Sequence, residues 1–214
     1  LLELARAVAE DGYRVLSWDR PNCGASDISF DGESESALHA NTLVGLADAL
    51  GLHRYILLGG SAGSRISLQA AARHPERVSK MFLWWISGGP ICMAQLAAYY
   101  TGEQAIAAAS GGMDAVANHP SFAQQIERNP RNRDIILSWD ADAFVKRMQL
   151  WAAAYAWQPG VPVPGVTAEQ YAKLDMPVVV LRSGKSDVSH PRATSEEVAA
   201  LLPNCQLLDP PWGD

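Results

Sequence analysis

A run of apolar residues, Tyr55-Ile56-Leu57-Leu58, passes without a break into Gly59-Gly60-Ser61-Ala62-Gly63, and a helical pattern over Ala62 to Arg73 takes over within that turn. Such a strand-turn-helix junction constrains the fold more than any other feature of the chain. It forces a buried strand to reverse into a helix within a few residues, and it places Ser61 at the carboxyl edge of whatever sheet the strand joins. The turn calls for an uncommon backbone conformation at the serine. Gly59 and Gly63 are therefore expected where a Cβ would strike the neighbouring strand and helix. The Ala62 amide, at the helix N-terminus, would point to where a negative oxygen could be held. A Gly-rich phosphate loop is the bland alternative, but neither the Walker nor the dinucleotide pattern is present.

The rest of the chain alternates in the same way. Leu1 to Glu10 reads as a helix closed by Asp11-Gly12, Tyr13 to Asp19 as a short strand, Ala37 to Leu50 as a helix ending at Gly51, and Val78 to Ile86 as a third strand after Arg54 to Gly60. Strands alternating with helices at short spacing imply a mostly parallel sheet with helices on both faces. After Gly88-Gly89-Pro90 the pattern is helical to about Ala172. In that stretch Thr101-Gly102-Glu103-Gln104 and Thr167-Ala168-Glu169-Gln170 match capping boxes, and Gly111-Gly112 would end a helix. Phe144, Met148, Trp151 and Tyr155 fall on one helical face, which reads more readily as packing than as a substrate wall. Trp84, Trp85, Tyr99 and Tyr100 lie near the start of this lobe. Val178 to Leu181 resumes the sheet, Thr194-Ser195-Glu196-Glu197 opens another helix, and Cys205 to Leu208 reads as a last strand.

With 48% hydrophobic and 19% charged residues in 214, the chain can bury a sizeable core. A formal charge of -6 and a pI near 5.3, without a basic stripe, argue against nucleic acid as a partner. Cys23, Cys92 and Cys205 form no metal or disulfide spacing, so no metal or other cofactor is expected, and a reducing cytoplasm fits. No apolar run is long enough for a membrane span. The start at Leu1, inside a helical pattern, and the stop after a strand read as a fragment cut at both ends.

At this point the residues carry a resemblance. Strand, Gly59 to Gly63 and helix, together with Asp19-Arg20-Pro21-Asn22-Cys23-Gly24-Ala25-Ser26 and Arg73-His74-Pro75-Glu76-Arg77-Val78, resemble the α/β-hydrolase superfamily over the whole chain. The resemblance implies a core of residues 1–88 and 173–214 and an inserted helical cap of residues 89–172. It implies Ser61 as nucleophile and the Ala62 amide as one oxyanion donor. Arg182-Ser183-Gly184-Lys185-Ser186-Asp187 follows its strand where the family carries its acid, which makes Asp187 the partner carboxylate.

The family's histidine comes from the loop after the eighth strand, and Asp209 to Asp214 contains none, so the base is expected beyond Asp214. A second oxyanion donor is expected before Leu1. His190 is weighed and set aside, since a loop that offers the carboxylate rarely also supplies the base, while His39, His53, His74 and His119 read as surface or packing. A thiol role for Cys23 lacks a surrounding elbow.

The resemblance implies a serine hydrolase acting on a small-molecule carboxylic ester or related acyl substrate through an acyl-enzyme. Carbon-carbon bond hydrolases and aminopeptidases share these residues. Haloalkane dehalogenases and epoxide hydrolases, which place Asp at the elbow, are disfavoured. The fragment itself is not expected to turn over substrate, and a non-catalytic ligand-binding or scaffold protein is the reading from another class.

Overall fold

The computed structural model describes residues 2–212. Four strands, β1 (Tyr55–Gly60), β2 (Val78–Trp84), β3 (Val178–Leu181) and β4 (Cys205–Leu208), pair in parallel in that order. Leu58 lies opposite Phe82, Phe82 opposite Val179 and Val179 opposite Gln206. Parallel strands need crossover connections, and helices supply them. Helix α1 (Leu2–Glu10) precedes α2 (Glu35–Ala49), which packs on α3 (Ala62–Arg73), itself laid on β1. After β2 come α4 (Pro90–Ala97), α5 (Glu103–Ala117), α6 (Pro120–Arg128), α7 (Arg131–Leu137), α8 (Ala141–Ala154) and the short α9 (Ala168–Tyr171). Helix α10 (Arg192–Leu201) crosses from β3 to β4.

The sheet's core gathers Leu57, Leu68, Met81, Leu83, Val178, Val180 and Val198, with Tyr171 and Leu174 closing one end. Burying each such aliphatic chain contributes about 1.5–3 kcal/mol, which is what fixes strand register once one residue of alternation is chosen. A second cluster belongs to the helical region. Phe144, Met148 and Trp151 pack with Ile136 and Val116 around Phe30, whose ring meets that of Phe144 edge-on at 4.8 Å. Phe30 comes from the long connection between α1 and α2, so this loop plugs the helical lobe. Buried Asn132 holds it there, accepting from the Ile28 amide at 2.8 Å and donating to the Ser26 carbonyl at 3.1 Å. The aromatic stripe is thus packing, except that Tyr155 joins a smaller cluster with Cys92 and Met93.

Several expectations fail for physical reasons. Tyr13 to Asp19 forms no strand: the segment has no hydrogen-bonded neighbour in the sheet, and Tyr13 and Leu16 stay exposed. An apolar run becomes a strand only where a partner backbone accepts its ladder. The first capping box is not made. Thr101 lies inside a π-helical turn, Ala98–Gly102, joining α4 to α5, and its hydroxyl bonds back to the Ala97 carbonyl. Gly112 (φ 66°) kinks α5 without ending it. The second box is realised, with the Gln170 amide donating to Thr167 Oγ1 and the Thr167 amide to Gln170 Oε1. Helix α10 begins at Arg192, two residues ahead of Thr194, because Pro191 presets its entry. Val163 and Val166 pack with the sheet core rather than with the helical cluster.

Candidate active site

Ser61 sits between β1 and α3 at φ 55° and ψ -122°, a left-handed region that a non-glycine residue enters only under constraint. Three hydrogen bonds supply it. The Ser61 amide donates to the Trp84 carbonyl at 3.1 Å, and Ser64 Oγ lies 2.8 Å from the Gly59 carbonyl and 2.9 Å from that of Trp84. The elbow is therefore tied to the end of β2.

The glycines divide differently from the expectation. A Cβ on Gly59 would stand 2.5 Å from the Gly63 carbonyl oxygen, so that site demands glycine. A Cβ on Gly60 would meet the Trp84 indole at 2.3 Å, whereas one on Gly63 would meet nothing within 4 Å. The steric need expected at Gly63 thus falls on Gly60; Gly63 matters through its backbone. Ala62 is the first helical residue after Ser61, so its amide has no acceptor within the helix and is free to face an anion.

The loop after β3 contributes the other groups. Asp187 Oδ1 accepts the amides of Ser189 at 3.0 Å and His190 at 2.8 Å, folding residues 187–190 into a tight turn. That turn swings the imidazole back over its own carboxylate, with Nδ1 2.9 Å from Asp187 Oδ2. His190 Nε2 lies 2.9 Å from Ser61 Oγ. With Nδ1–H donating to the carboxylate, Nε2 is the acceptor facing the serine hydroxyl. Partial burial pushes the Asp187 carboxyl up, but the hydrogen bonds from the His190 ring and amide outweigh it and hold the group below its ordinary range.

His190, set aside from sequence alone, is the imidazole that the structure places between Ser61 and Asp187. One loop brings both groups together because Asp187 itself nucleates the turn that returns the ring to its carboxylate. Trp85, another non-glycine residue at positive φ (47°), stacks on the His190 ring at 6.3 Å and also meets Trp212. Outside the loop, Arg182 and Arg192 both pair with Glu196 and Asp209, which ties β3, α10 and the end of β4 together.

The remaining candidates lie apart from this constellation. Burial pushes the Cys23 thiol up, and Arg20, 3.5 Å from its sulfur, only partly offsets that, so the site is not a thiolate centre. The Cys23 loop is shaped by Asp19, whose carboxylate accepts the Ala25 amide and occupies the space that a Cβ on Gly24 would need. His39 is buried and bonded to the Pro21 carbonyl at 2.8 Å, and His119 caps α6. Among the described residues no cluster of His, Cys, Asp or Glu could hold a metal ion, and no helix is long and apolar enough to cross a membrane.

A parallel sheet with crossover helices, a strained serine between strand and helix, and a helical insertion after the next strand define the α/β-hydrolase class of fold. Residues 2–86 match the family described as alpha/beta hydrolase fold. The 2-hydroxy-6-oxo-6-phenylhexa-2,4-dienoate hydrolase of Comamonas testosteroni is 40% identical over 72 residues, 34% of this chain and 25% of that protein. The 2-hydroxy-6-oxononadienedioate/2-hydroxy-6-oxononatrienedioate hydrolase of Burkholderia vietnamiensis is 41% identical over 85 residues, 39% of this chain and 30% of that one. The matched stretches thus span less than a third of these relatives' lengths. Among solved structures, the enol-lactonase from Burkholderia xenovorans LB400 superposes with TM-score 0.60 at 21% identity, covering 97% of this chain and 76% of that one. A meta-cleavage product hydrolase from Pseudomonas fluorescens IP01 does so with TM-score 0.58 at 18% identity, covering 96% and 74%.

Proposed function

We propose that the protein is a serine hydrolase that cleaves a carboxylic ester or related acyl bond of a small molecule through an acyl-enzyme. The observation that carries this reading is the continuous chain of hydrogen bonds from Ser61 Oγ through His190 to Asp187, with both links at 2.9 Å. In the proposed sequence Ser61 Oγ attacks the acyl carbon as His190 Nε2 takes its proton. The oxygen that becomes negative is met by the Ala62 amide, a donor of a kind typically worth about 10² to 10³ in rate. Imidazolium His190, stabilised by Asp187, then protonates the leaving group. Water deprotonated by His190 releases the acyl group and restores Ser61. The helical lobe of residues 89–172 is proposed as the cap that bounds the substrate space.

Cleavage of a carbon-carbon bond next to a ketone is the second reading, favoured by the names of relatives 40% identical over 72 residues and 41% identical over 85. It needs the same nucleophile and base, and differs in the carbanion that leaves. Fluorophosphonate labelling and 4-nitrophenyl butyrate hydrolysis, compared among wild type, Ser61→Ala and His190→Gln, test the assignment. Labelling of Ser61→Ala at the wild-type level would remove Ser61 as nucleophile. A His190→Gln rate within a few-fold of wild type would move the base to another residue and leave Ser61 standing. Comparing a vinylogous 1,5-diketone acid with an ester of similar size decides between the two bond classes.

A further inference from the structure

Arg65 lies one helical turn after Ser61, on the same face of α3, and its Cα–Cβ bond tilts back toward the end of the helix that bears the serine. Its side chain is only 3% exposed, yet Nε and Nη1 are buried without any hydrogen-bond partner. The guanidinium lies over the ring of Tyr155 from the helical lobe, at 5.5 Å, and lines a cavity of about 10 Å³ together with Ser36, Gln69, Met93 and Tyr155. That volume accommodates one water-sized group, which matches a single carboxylate oxygen and excludes a ring.

Two further facts locate this cavity. Its lining joins Arg65 and Gln69 of α3 to Met93 of α4 and Tyr155 at the end of α8, so the guanidinium sits between the helix that bears the elbow and the helical lobe. The buried carboxylate of Glu35 accepts from the Tyr155 hydroxyl, and among the described residues Nε and Nη1 of Arg65 meet no acceptor. A buried cation with unspent donors is costly unless an anion meets it. The N-terminal end of α3 adds its own attraction for negative charge.

We propose that Arg65 is the receptor for a carboxylate carried by the substrate, seating one of its oxygens in this cavity while the scissile acyl carbon reaches Ser61. The protein would thus select acidic acyl substrates over neutral ones. This deepens the serine-hydrolase reading and rests on it for the catalytic part only. The planar guanidinium holds its donors in a fixed fork that the single point charge of an ammonium does not reproduce, so lysine would substitute poorly.

The test has two arms. In the first, kcat/KM is measured for the 4-nitrophenyl monoester of glutaric acid and for 4-nitrophenyl butyrate, and the acidic-to-neutral ratio is expected to fall about 10- to 100-fold in Arg65→Met, with Arg65→Lys between. A ratio unchanged within twofold overturns the proposal. The second arm needs no catalysis. Hexanoate, at concentrations where 1-hexanol has no effect, is expected to raise the Tm of the Ser61→Ala protein and to lose that effect in Ser61→Ala/Arg65→Met. No hexanoate shift, a shift that survives Arg65→Met, or an equal shift from sodium chloride overturns the carboxylate site. Failure of ester turnover with an intact hexanoate response would instead count against the hydrolase reading alone. Because Nε and Nη1 of Arg65 make no hydrogen bond, the Tm of Arg65→Met itself should hold or rise, where a purely structural arginine would make it fall.

Discussion

Lowering the pH from 7 to 5 should destabilise the protein through one residue, His39. Its side chain is 2% exposed on α2, and Nε2–H donates to the Pro21 carbonyl at 2.8 Å. Burial, reinforced by the positive charges of Arg20 and Arg65 and only partly opposed by Glu35 and the Pro21 carbonyl, lowers its pKa from 6.5 to about 4. The folded state therefore holds His39 neutral, while the unfolded chain protonates it near pH 6.5, so the unfolded state binds more protons in between. Stability is complete above 6.5 and is lost as pH falls toward 4. The full displacement is worth roughly 3 kcal/mol, and about 2 kcal/mol of it should be gone at pH 5. That is a large share of the ~5–15 kcal/mol expected for a domain. Urea unfolding monitored by tryptophan fluorescence at pH 7.5, 6 and 5 reads it directly, with His39→Gln as the reference. Asp187, whose pKa is depressed, adds stability that is lost only below the ordinary carboxylate range, so it does not contribute in this window. If wild type and His39→Gln lose stability in parallel between pH 7.5 and 5, the neutral buried imidazole is wrong.

The other predictions concern single contacts. Gly63→Ala should leave folding intact and add about 0.5–1 kcal/mol, since its Cβ meets open space in a helix, whereas Gly59→Ala, facing the Gly63 carbonyl at 2.5 Å, should lower Tm sharply; calorimetry of the pair decides. Tyr155→Phe removes the donor to the buried Glu35 carboxylate and should cost about 1–3 kcal/mol in urea unfolding; an unchanged midpoint would mean that water satisfies Glu35. Asp187→Asn should leave the fold in place by circular dichroism but reduce ester hydrolysis by about 10³- to 10⁴-fold, because the amide cannot hold the imidazole in the tautomer that presents Nε2 to Ser61.

What could be read from the chain and what could not separate along physical lines. Apolar runs bounded by turn residues were legible wherever the partner backbone is present: β3 and β4 were read with the bounds they have, and the Gly59 to Gly63 junction with its helix likewise. Tyr13 to Asp19 carries the same local signal, yet without a hydrogen-bonded neighbour it remains an unpaired segment, since pairing is a property of two segments and a sequence pattern describes one. The Thr101 box failed for a related reason. Its four residues satisfy the local rule, but the helix on their N-terminal side continues through them, and no free amides are left to cap. Steric demands were the least legible. Gly60 is held by Trp84, a residue on another strand, and only the assembled sheet brings that indole over the turn.

His190 is the case where the local sequence held the means to place a ring and the reading of it did not use them. Asp187 is three residues ahead of it, and both carboxylate oxygens are engaged by the same turn: Oδ1 takes the amides of Ser189 and His190, leaving Oδ2 for the ring. An Asp three residues before a His-Pro step can therefore fix an imidazole more cheaply than a distant loop can, because closing a three-residue turn costs far less chain entropy than bringing together separate segments. The same economy has a consequence that can be measured. If the turn rather than long-range packing orients His190, then shortening Asp187 to Ala should release the ring and the amides of Ser189 and His190 together. Those two amides should then lose hydrogen-exchange protection while the amides of β3 keep theirs. Protection at residues 189 and 190 that survives Asp187→Ala would mean that Trp85 and the packing of α10 hold the imidazole, and that Asp187 serves its charge alone.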